Sequence, residues 1–429
     1  MTCGCAGTRR AAKLTFWRNN GVVSDSTSND YRPGWILGLS LAQLISWGTL
    51  FYVFSLLIEP VERDLGLSRV QSSLAFSLAL LMEGVVAYPV GRWIDRGLER
   101  AVMVGGSLLA ALCLGLHRWV DSAAGFYALW MGVGAAMAGV LYNPVFAVVT
   151  RRYPLHFRRG IITMTFLGGL ASTVFIPAGD WLIRHLGWRD ALQLLAGLHL
   201  LLCAPLHAWL LRGAAPHGAD AHAARTSAAA DRRPVRELLR SAPFVCISAF
   251  LLLMTVATAS LPVHMISLLR EHGLAPQWVV AVPALIGVFQ VLGRLLLYFF
   301  EHRMDLHAAN RVIPALIPLG LAALLVSPWL GPAHQAVVVL FVVLFGMGNG
   351  MLTIVKGTAM AEYVSARHVA VLNGVLGLPL ALVRALAPLA LGWAWSISGG
   401  YGGALAVVVV LTLVGVWSLV QAQRGGRAP

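Results

Sequence analysis

The chain has 429 residues, of which 58% are hydrophobic and 12% charged, and its mean hydropathy is +0.75. A water-soluble protein carries about 25% charged residues, so the composition excludes an ordinary soluble enzyme or binding domain and points to a chain solvated by lipid. The net charge of +14 would suit a nucleic-acid binder, but the basic residues fall in short loops between apolar runs, where they orient helices instead.

Residues 1–33 are polar and basic, with no apolar run of the kind a cleaved signal needs, and are expected to form a cytosolic tail. Cys3 and Cys5 on that tail supply too few ligands for a metal site. Long apolar stretches follow at 34–58, 70–93, 101–117, 123–150, 161–183 and 190–211. A polar linker, 212–242, separates them from six more at 243–269, 278–300, 312–329, 335–357, 369–395 and 401–421, and residues 422–429 form a second cytosolic tail. About 20 helical residues cross a bilayer core, and runs this long satisfy their backbone in lipid only as helices. The expected fold is an all-α membrane protein of twelve transmembrane helices in two six-helix bundles, 34–211 and 243–421. Cys113, Cys203 and Cys246 fall inside the stretches, where free cysteine packs as a small hydrophobe.

Counted on the side of the tails and the linker there are 23 basic residues, against six (Arg63, Arg69, Arg118, Arg184, Arg189 and Arg270) on the other. That asymmetry predicts both termini and the linker in the cytoplasm. The two halves also echo each other. Gly91-Arg92 closes the second stretch and Gly293-Arg294 the eighth; Gly187-Trp188-Arg189 joins the fifth and sixth, and Gly399-Gly400-Tyr401 the last two. Parallel repeats with a site between them near the midplane are a transporter architecture.

The run Gly91-Arg92-Trp93-Ile94-Asp95-Arg96-Gly97-Leu98-Glu99-Arg100 resembles the loop signature of the major facilitator superfamily, with the second Gly one residue early and Glu99 in place of a basic residue. The resemblance covers residues 34–421 and implies two pseudo-symmetric bundles that rock about a central site. It also implies a cytoplasmic latch of Gly91, Arg92, Asp95 and Arg96 with Arg151 or Arg152. Within the superfamily the chain is similar to the bacterial branch near the monocarboxylate and oxalate–formate transporters. The long linker, the Gly187-Trp188-Arg189 turn and Gln290-x-x-x-Arg294 carry that likeness, which implies the bacterial inner membrane. Those carriers have Asp where Gln290 stands, and a lysine in the first helix that is absent here.

Charged groups at bilayer depth are costly and face a cavity or a partner. Arg384 lies about 22 Å into its helix at 1.5 Å per residue, as a cationic anchor for an anionic substrate or a partner for Glu83. Glu83, mid-way along the second stretch, is a proton-coupling candidate or a structural carboxyl. Arg294 shares a helix face with Gln290 and either binds substrate or echoes the latch position of Arg92. Lys356 snorkels to the interface or binds substrate. His264, after Pro262, is a gating, binding or packing residue; Tyr142, Asn143 and Asn349 are further cavity candidates.

The primary reading is a monomeric secondary transporter, not an enzyme, moving a small organic anion such as a monocarboxylate by alternating access. A proton or other ion drives it, and it needs no cofactor and no nucleic acid, since no Walker motif is present. An exporter of drugs or toxic metalloids on the same fold is the alternative, and a polytopic membrane enzyme or non-transporting sensor is a remote one.

Overall fold

The computed structural model describes residues 33–153, 157–213, 235–300, 306–365 and 368–425. Residues 1–32 and 426–429 of the expected tails, the polar part of the linker, and Arg303 and Arg367 lie outside them, while residues 422–425, expected as tail, continue the last helix. Within them the chain is helical, with no strand. The first half comprises α1 (Pro33–Ser46), α2 (Phe54–Leu65), α3 (Arg69–Asp95), α4 (Glu99–Leu116), α5 (Ala123–Val140), α6 (Tyr142–Arg152), α7 (Phe157–Gly169), α8 (Ala171–Leu198) and α9 (Ala204–Leu210). The second comprises α10 (Val235–Arg240), α11 (Ala242–Glu271), α12 (Pro276–Phe300), α13 (Leu306–Val326), α14 (His334–Tyr363), α15 (Val369–Ser398) and α16 (Tyr401–Gly425).

Among the described residues, ten continuous helical stretches are long and apolar enough to cross a membrane. Two of them, Gly160–Leu210 and Ala309–Thr353, run to 51 and 45 residues, about 75 and 65 Å at helical rise against a hydrocarbon core of about 30 Å. Each holds a glycine in the left-handed region, Gly187 at φ 80° and Gly331 at φ 49°, where two helices meet. The Gly187 turn is pinned from outside: Trp188 Nε1 and Arg189 each donate to Asp64 Oδ2 at 2.7 Å.

Local chemistry sets the other boundaries. Ser68 caps α3 by a reciprocal bond with Gln71, Ser122 caps α5, and Ser241 caps α11, each satisfying amides that a helix start leaves unpaired. The break between α5 and α6 follows from Pro144, whose ring cannot share a helix with the carbonyl four residues earlier. Leu141 is extended there (φ −79°, ψ −164°). Gln43 Nε2 takes up the freed Val140 carbonyl at 2.5 Å. Between α1 and α2 the chain makes a π-helical turn, Trp47–Tyr52, a form frequent at functional sites.

Two apolar cores form. One draws on residues between Ala42 and Cys203 with Val263 and Ala385, around Phe54, Phe76 and Trp130. The other draws on residues between Leu238 and Ala422 with Leu56 and Ile176. Along the seam between the halves, α3 runs beside α15 and α8 beside α12. Thr173 Oγ1 donates to the Ala284 carbonyl at 2.7 Å.

Candidate functional site

A cavity of about 350 Å³ lies between the two halves and takes a wall from α3, α5, α6, α7, α11, α12, α14, α15 and the π turn. It is the size of a small-molecule site. The π turn aims Trp47, Phe51 and Tyr52 at it, and the α5–α6 break adds Tyr142, Asn143 and Pro144. Trp47 and Tyr142 pack at 4.9 Å between ring centres, so one wall is aromatic. Gly168 and Gly169 make room for two of the lining groups. A Cβ on Gly168 would lie 2.2 Å from the Tyr142 hydroxyl, and one on Gly169 3.0 Å from the Arg294 guanidinium.

Arg384, Arg294, Gln290, Tyr142, Asn143, Asn349, Lys356 and Glu83 all line this one space. Arg384 donates to Glu83 Oε1 at 3.0 Å, so the deep arginine has the carboxylate partner weighed from the sequence. Glu83 Oε2 is buried and has no hydrogen-bond partner among the described residues. Lys356 does not snorkel: its ammonium turns to α11 and lies 3.4 Å from the hydroxyls of both Thr255 and Thr258. Arg294 donates from Nε to the Gly350 carbonyl at 3.1 Å and from its guanidinium to the Thr165 carbonyl of α7. Its partners are neutral, and they belong to both halves.

His264 goes elsewhere. It is fully buried in the seam, with Nδ1 at 2.9 Å from the Tyr401 hydroxyl and Nε2 at 2.9 Å from the Pro388 carbonyl. That seam is closed by charge. Arg69 makes a bidentate pair with Glu62, at 2.7 and 3.0 Å, and donates to Tyr401 Oη at 2.7 Å. Ser72 adds a bond to Glu62, Arg270 pairs with Glu59 across the halves, and Glu271 accepts from Trp395 Nε1 and the Tyr401 amide.

At the opposite end the helices part. A Cβ on Gly392 would lie 2.6 Å from Ser73 Oγ, and one on Gly84 3.2 Å from Ala381. Past that point, no described residue comes within 4 Å of a Cβ built at Gly91, Gly374 or Gly377. Tyr88 and Leu378 are 73% and 70% exposed. The cavity is thus shut on the Tyr401 face and flanked by separated helix ends toward the linker.

The residues of the expected latch sit at those separated ends. Gly91, Arg92, Asp95 and Arg96 are exposed. Arg92 lies 5.9 Å over the Tyr88 ring, Arg151 donates to the Ile94 carbonyl, and Arg152 reaches the Leu210 and Arg212 carbonyls. Asp95 has no ion pair among the described residues.

The sequence reading missed Trp47, Phe51, Tyr52, Thr255, Thr258 and Thr353. A π turn leaves no mark in apolar periodicity. The i, i+3 spacing of Thr255 and Thr258 on an apolar helix is the only signal that could have been read.

A membrane chain of long helices with a charged, aromatic-walled space between two packed halves, shut at one end, has the build of a solute carrier. The Major Facilitator Superfamily model matches residues 39–388, and the chain belongs to that superfamily. It is similar to monocarboxylate transporter 13 of Bos taurus, 28% identical over 280 residues, which cover 61% of this chain and 60% of that protein. The chain thus spans about three fifths of that relative's length. The Rattus norvegicus protein of the same name is 24% identical over 415 residues, 90% of this chain and 88% of its own. An MFS-type efflux pump of Mycolicibacterium smegmatis is 32% identical over 166 residues, 37% and 38% of the two chains. Among solved structures, a bacterial homologue of the human lysosomal transporter Spinster, inward-facing and occupied, matches with a TM-score of 0.69 at 17% identity, over 92% of this chain and 97% of that one. The nucleoside transporter NupG matches with a TM-score of 0.65 at 14% identity, over 92% and 100%. These two likenesses are of fold alone.

Proposed function

We propose that this superfamily member carries a small organic anion across the bacterial inner membrane by rocking two six-helix bundles about the central cavity. The observation that carries the reading is the charge of the wall: three cations, Arg294, Lys356 and Arg384, face one carboxylate, Glu83, among the described lining residues. Buried charge without a partner is costly, so an incoming anion supplies what the protein withholds. The names of the two mammalian relatives favour a carboxylate.

Counting two crossings in each of the stretches broken at Gly187 and Gly331 gives twelve helices. The basic asymmetry puts the linker, both termini and the parted helix ends in the cytoplasm, which makes this the inward-open form. Glu83 is the coupling group in this reading. A substrate carboxylate that takes over Arg384 leaves Glu83 to accept a proton, so anion and proton move together. The chain acts as a monomer. The export of apolar or aromatic drugs on the same fold is a second reading, favoured by the wall of Trp47, Phe51, Tyr52 and Tyr142.

Purified protein screened by thermal shift should be stabilised by carboxylates, since a ligand that binds only the folded state raises apparent stability. In liposomes, uptake of the same acid should increase with an inward proton gradient and lose that dependence in Glu83→Gln. Stabilisation by neutral or cationic compounds alone, undiminished in Arg384→Gln, would sink the anion reading and move the assignment to export.

A further inference from the structure

We infer that His264 makes the sealed seam a pH switch: the seam closes around a neutral imidazole only, and a proton taken up at Nδ1 from the side away from the linker opens it. This switch is independent of what the cavity carries. Its basis is where each hydrogen of the seam must lie. Nε2 faces the Pro388 carbonyl at 2.9 Å, and a carbonyl only accepts, so Nε2 carries a hydrogen. The second group near Nε2, Ser73 Oγ at 3.5 Å, gives its own hydrogen to the Arg69 carbonyl and offers a lone pair as well. Arg69 donates to Tyr401 Oη at 2.7 Å. The phenol hydrogen is left for Nδ1, at 2.9 Å, and Nδ1 accepts it. The bonds from Arg69 through Tyr401 and His264 to Pro388 thus run with one polarity, and they join α3, α16, α11 and α15.

A second proton on the ring has no place in this chain. At Nδ1 it would displace the phenol hydrogen and leave Tyr401 Oη receiving from two cations at once. It would also add a net charge where charge is already balanced, since Arg69 is bidentate to Glu62. His264 is fully buried, and a Cβ on Gly392 would lie 2.6 Å from Ser73 Oγ, so α3 and α15 touch here and the ring is out of reach of water. The charged groups on the surrounding elements are engaged elsewhere. Glu271 of α11 is held by Trp395 and the Tyr401 amide, Glu59 of α2 pairs with Arg270, and Arg384 of α15 pairs with Glu83. Lys356 of α14 and Arg294 of α12 face the cavity, Arg63 of α2 is exposed, and α10 lies beyond the opposite end of α11. Once the halves part at this end, Nδ1 meets water and takes a proton near the ordinary histidine value of about 6.5. Closing expels that proton, so the closed seam is favoured above about pH 6.5 and loses ground as the pH falls below it. For one proton, the ratio of protein open at this end to closed protein should rise about tenfold from about pH 7.5 to about pH 5.5.

The experiment follows the distance between spin labels at Arg63 and Gln277, exposed on opposite halves at this face, in the purified full chain without substrate as the pH is lowered over that range. The population with the labels far apart should grow about tenfold relative to the closed one, the growth setting in near about pH 6.5. In His264→Gln, whose amide keeps a donor and an acceptor but takes no proton, the response should be lost. It should persist in His272→Gln and His334→Gln, which remove the histidine that follows Glu271 and the one that faces it. If His264→Gln does not fold, the wild-type response and these two controls decide. No shift over this range overturns the inference, and so does a shift that persists in His264→Gln or vanishes in either control. A shift that sets in only below about pH 5, where Glu59, Glu62 and Glu271 take up protons, overturns it as well.

Discussion

The sealed seam and the central cavity share α3, α11 and α15 and treat charge in opposite ways. Near Tyr401 each carboxylate has donors: Glu62 has Arg69 and Ser72, Glu59 has Arg270, and Glu271 has Trp395 and a backbone amide. Among the described residues of the cavity wall three cations share one carboxylate, and that carboxylate keeps one oxygen unpartnered. The seam satisfies itself, so it holds the halves together with no help from outside. The cavity is left to be completed by something that enters. A carrier needs both, a closure the protein makes alone and a site it cannot neutralise alone, and the distinction is visible only when partners are counted atom by atom.

The largest break in this comparison is Arg69→Ala. Arg69 and Glu62 are 10% and 16% exposed, and breaking a buried pair costs about 3 kcal/mol or more because the partner is stranded. That part of the loss falls within the first half; the change also removes the bond to Tyr401, which crosses between the halves. A hydrogen bond to a charged group is about 1.5–3 kcal/mol, so the equilibrium between the two open forms should shift roughly tenfold or more toward the one open at this end. Spin labels at Arg63 and Gln277, both exposed on this face and on opposite halves, should move apart. An unchanged distance distribution would mean that apolar packing, and not the charge relay, shuts the seam.

The next is Arg384→Gln. If Glu83 is its principal anion, the change strands a buried carboxylate, with a loss of about 2–3 kcal/mol once the one-third exposure of Arg384 discounts the fully buried figure. A second change, Glu83→Gln, should restore yield and melting temperature. If the single variant is as stable as the parent, the pair contributes little and Arg384 waits for substrate. Ligand binding decides that case, with apparent affinity falling about tenfold or more for a lost charge-assisted bond.

A smaller effect belongs to Tyr401→Phe, which removes the hydroxyl shared by Arg69 and His264 while keeping the ring. One net hydrogen bond is about 1 kcal/mol, somewhat more to a charged partner. The melting temperature should fall by a few degrees, and the Arg63–Gln277 distance should broaden without shifting fully. A loss as large as that of Arg69→Ala would make Tyr401, not Glu62, the main partner of the arginine.

The course of the helices was legible in the sequence because lipid imposes length and apolarity on every crossing. So was the gathering of Arg384, Glu83 and Arg294, with Gln290 on the face of Arg294, since a charge at bilayer depth has few places to go. What the sequence hid is direction. Lys356 near a helix end has the look of a snorkelling residue, yet it turns inward because Thr255 and Thr258 stand opposite. His264 has the look of a cavity residue beside Pro262, yet it turns into the seam, where Tyr401 comes from 137 residues away. Partners so distant along the chain leave no local pattern. The aromatic wall was hidden for another reason, since a π turn changes which residues face inward without changing composition.

The last prediction tests whether the comparison extends to the linker-side ends, where the expected latch is disengaged. Asp95 is exposed and lies on a helix end that has parted from α15. An exposed carboxylate with no ion pair contributes little, so Asp95→Asn should leave the melting temperature of this form unchanged. The substitution acts only when the mouth closes and brings Arg151 or the arginines beside it against the carboxylate in a drier setting. Cysteines at Tyr88 and Leu378, both exposed in this form, report that closure. Their crosslinking should fall several-fold in Asp95→Asn, most clearly with a bound ligand that favours the closed mouth. A lower melting temperature with crosslinking unaltered would make Asp95 a structural residue of the first half. Unaltered values of both would show that the mouth closes by packing alone, with charge confined to the seam at the other end.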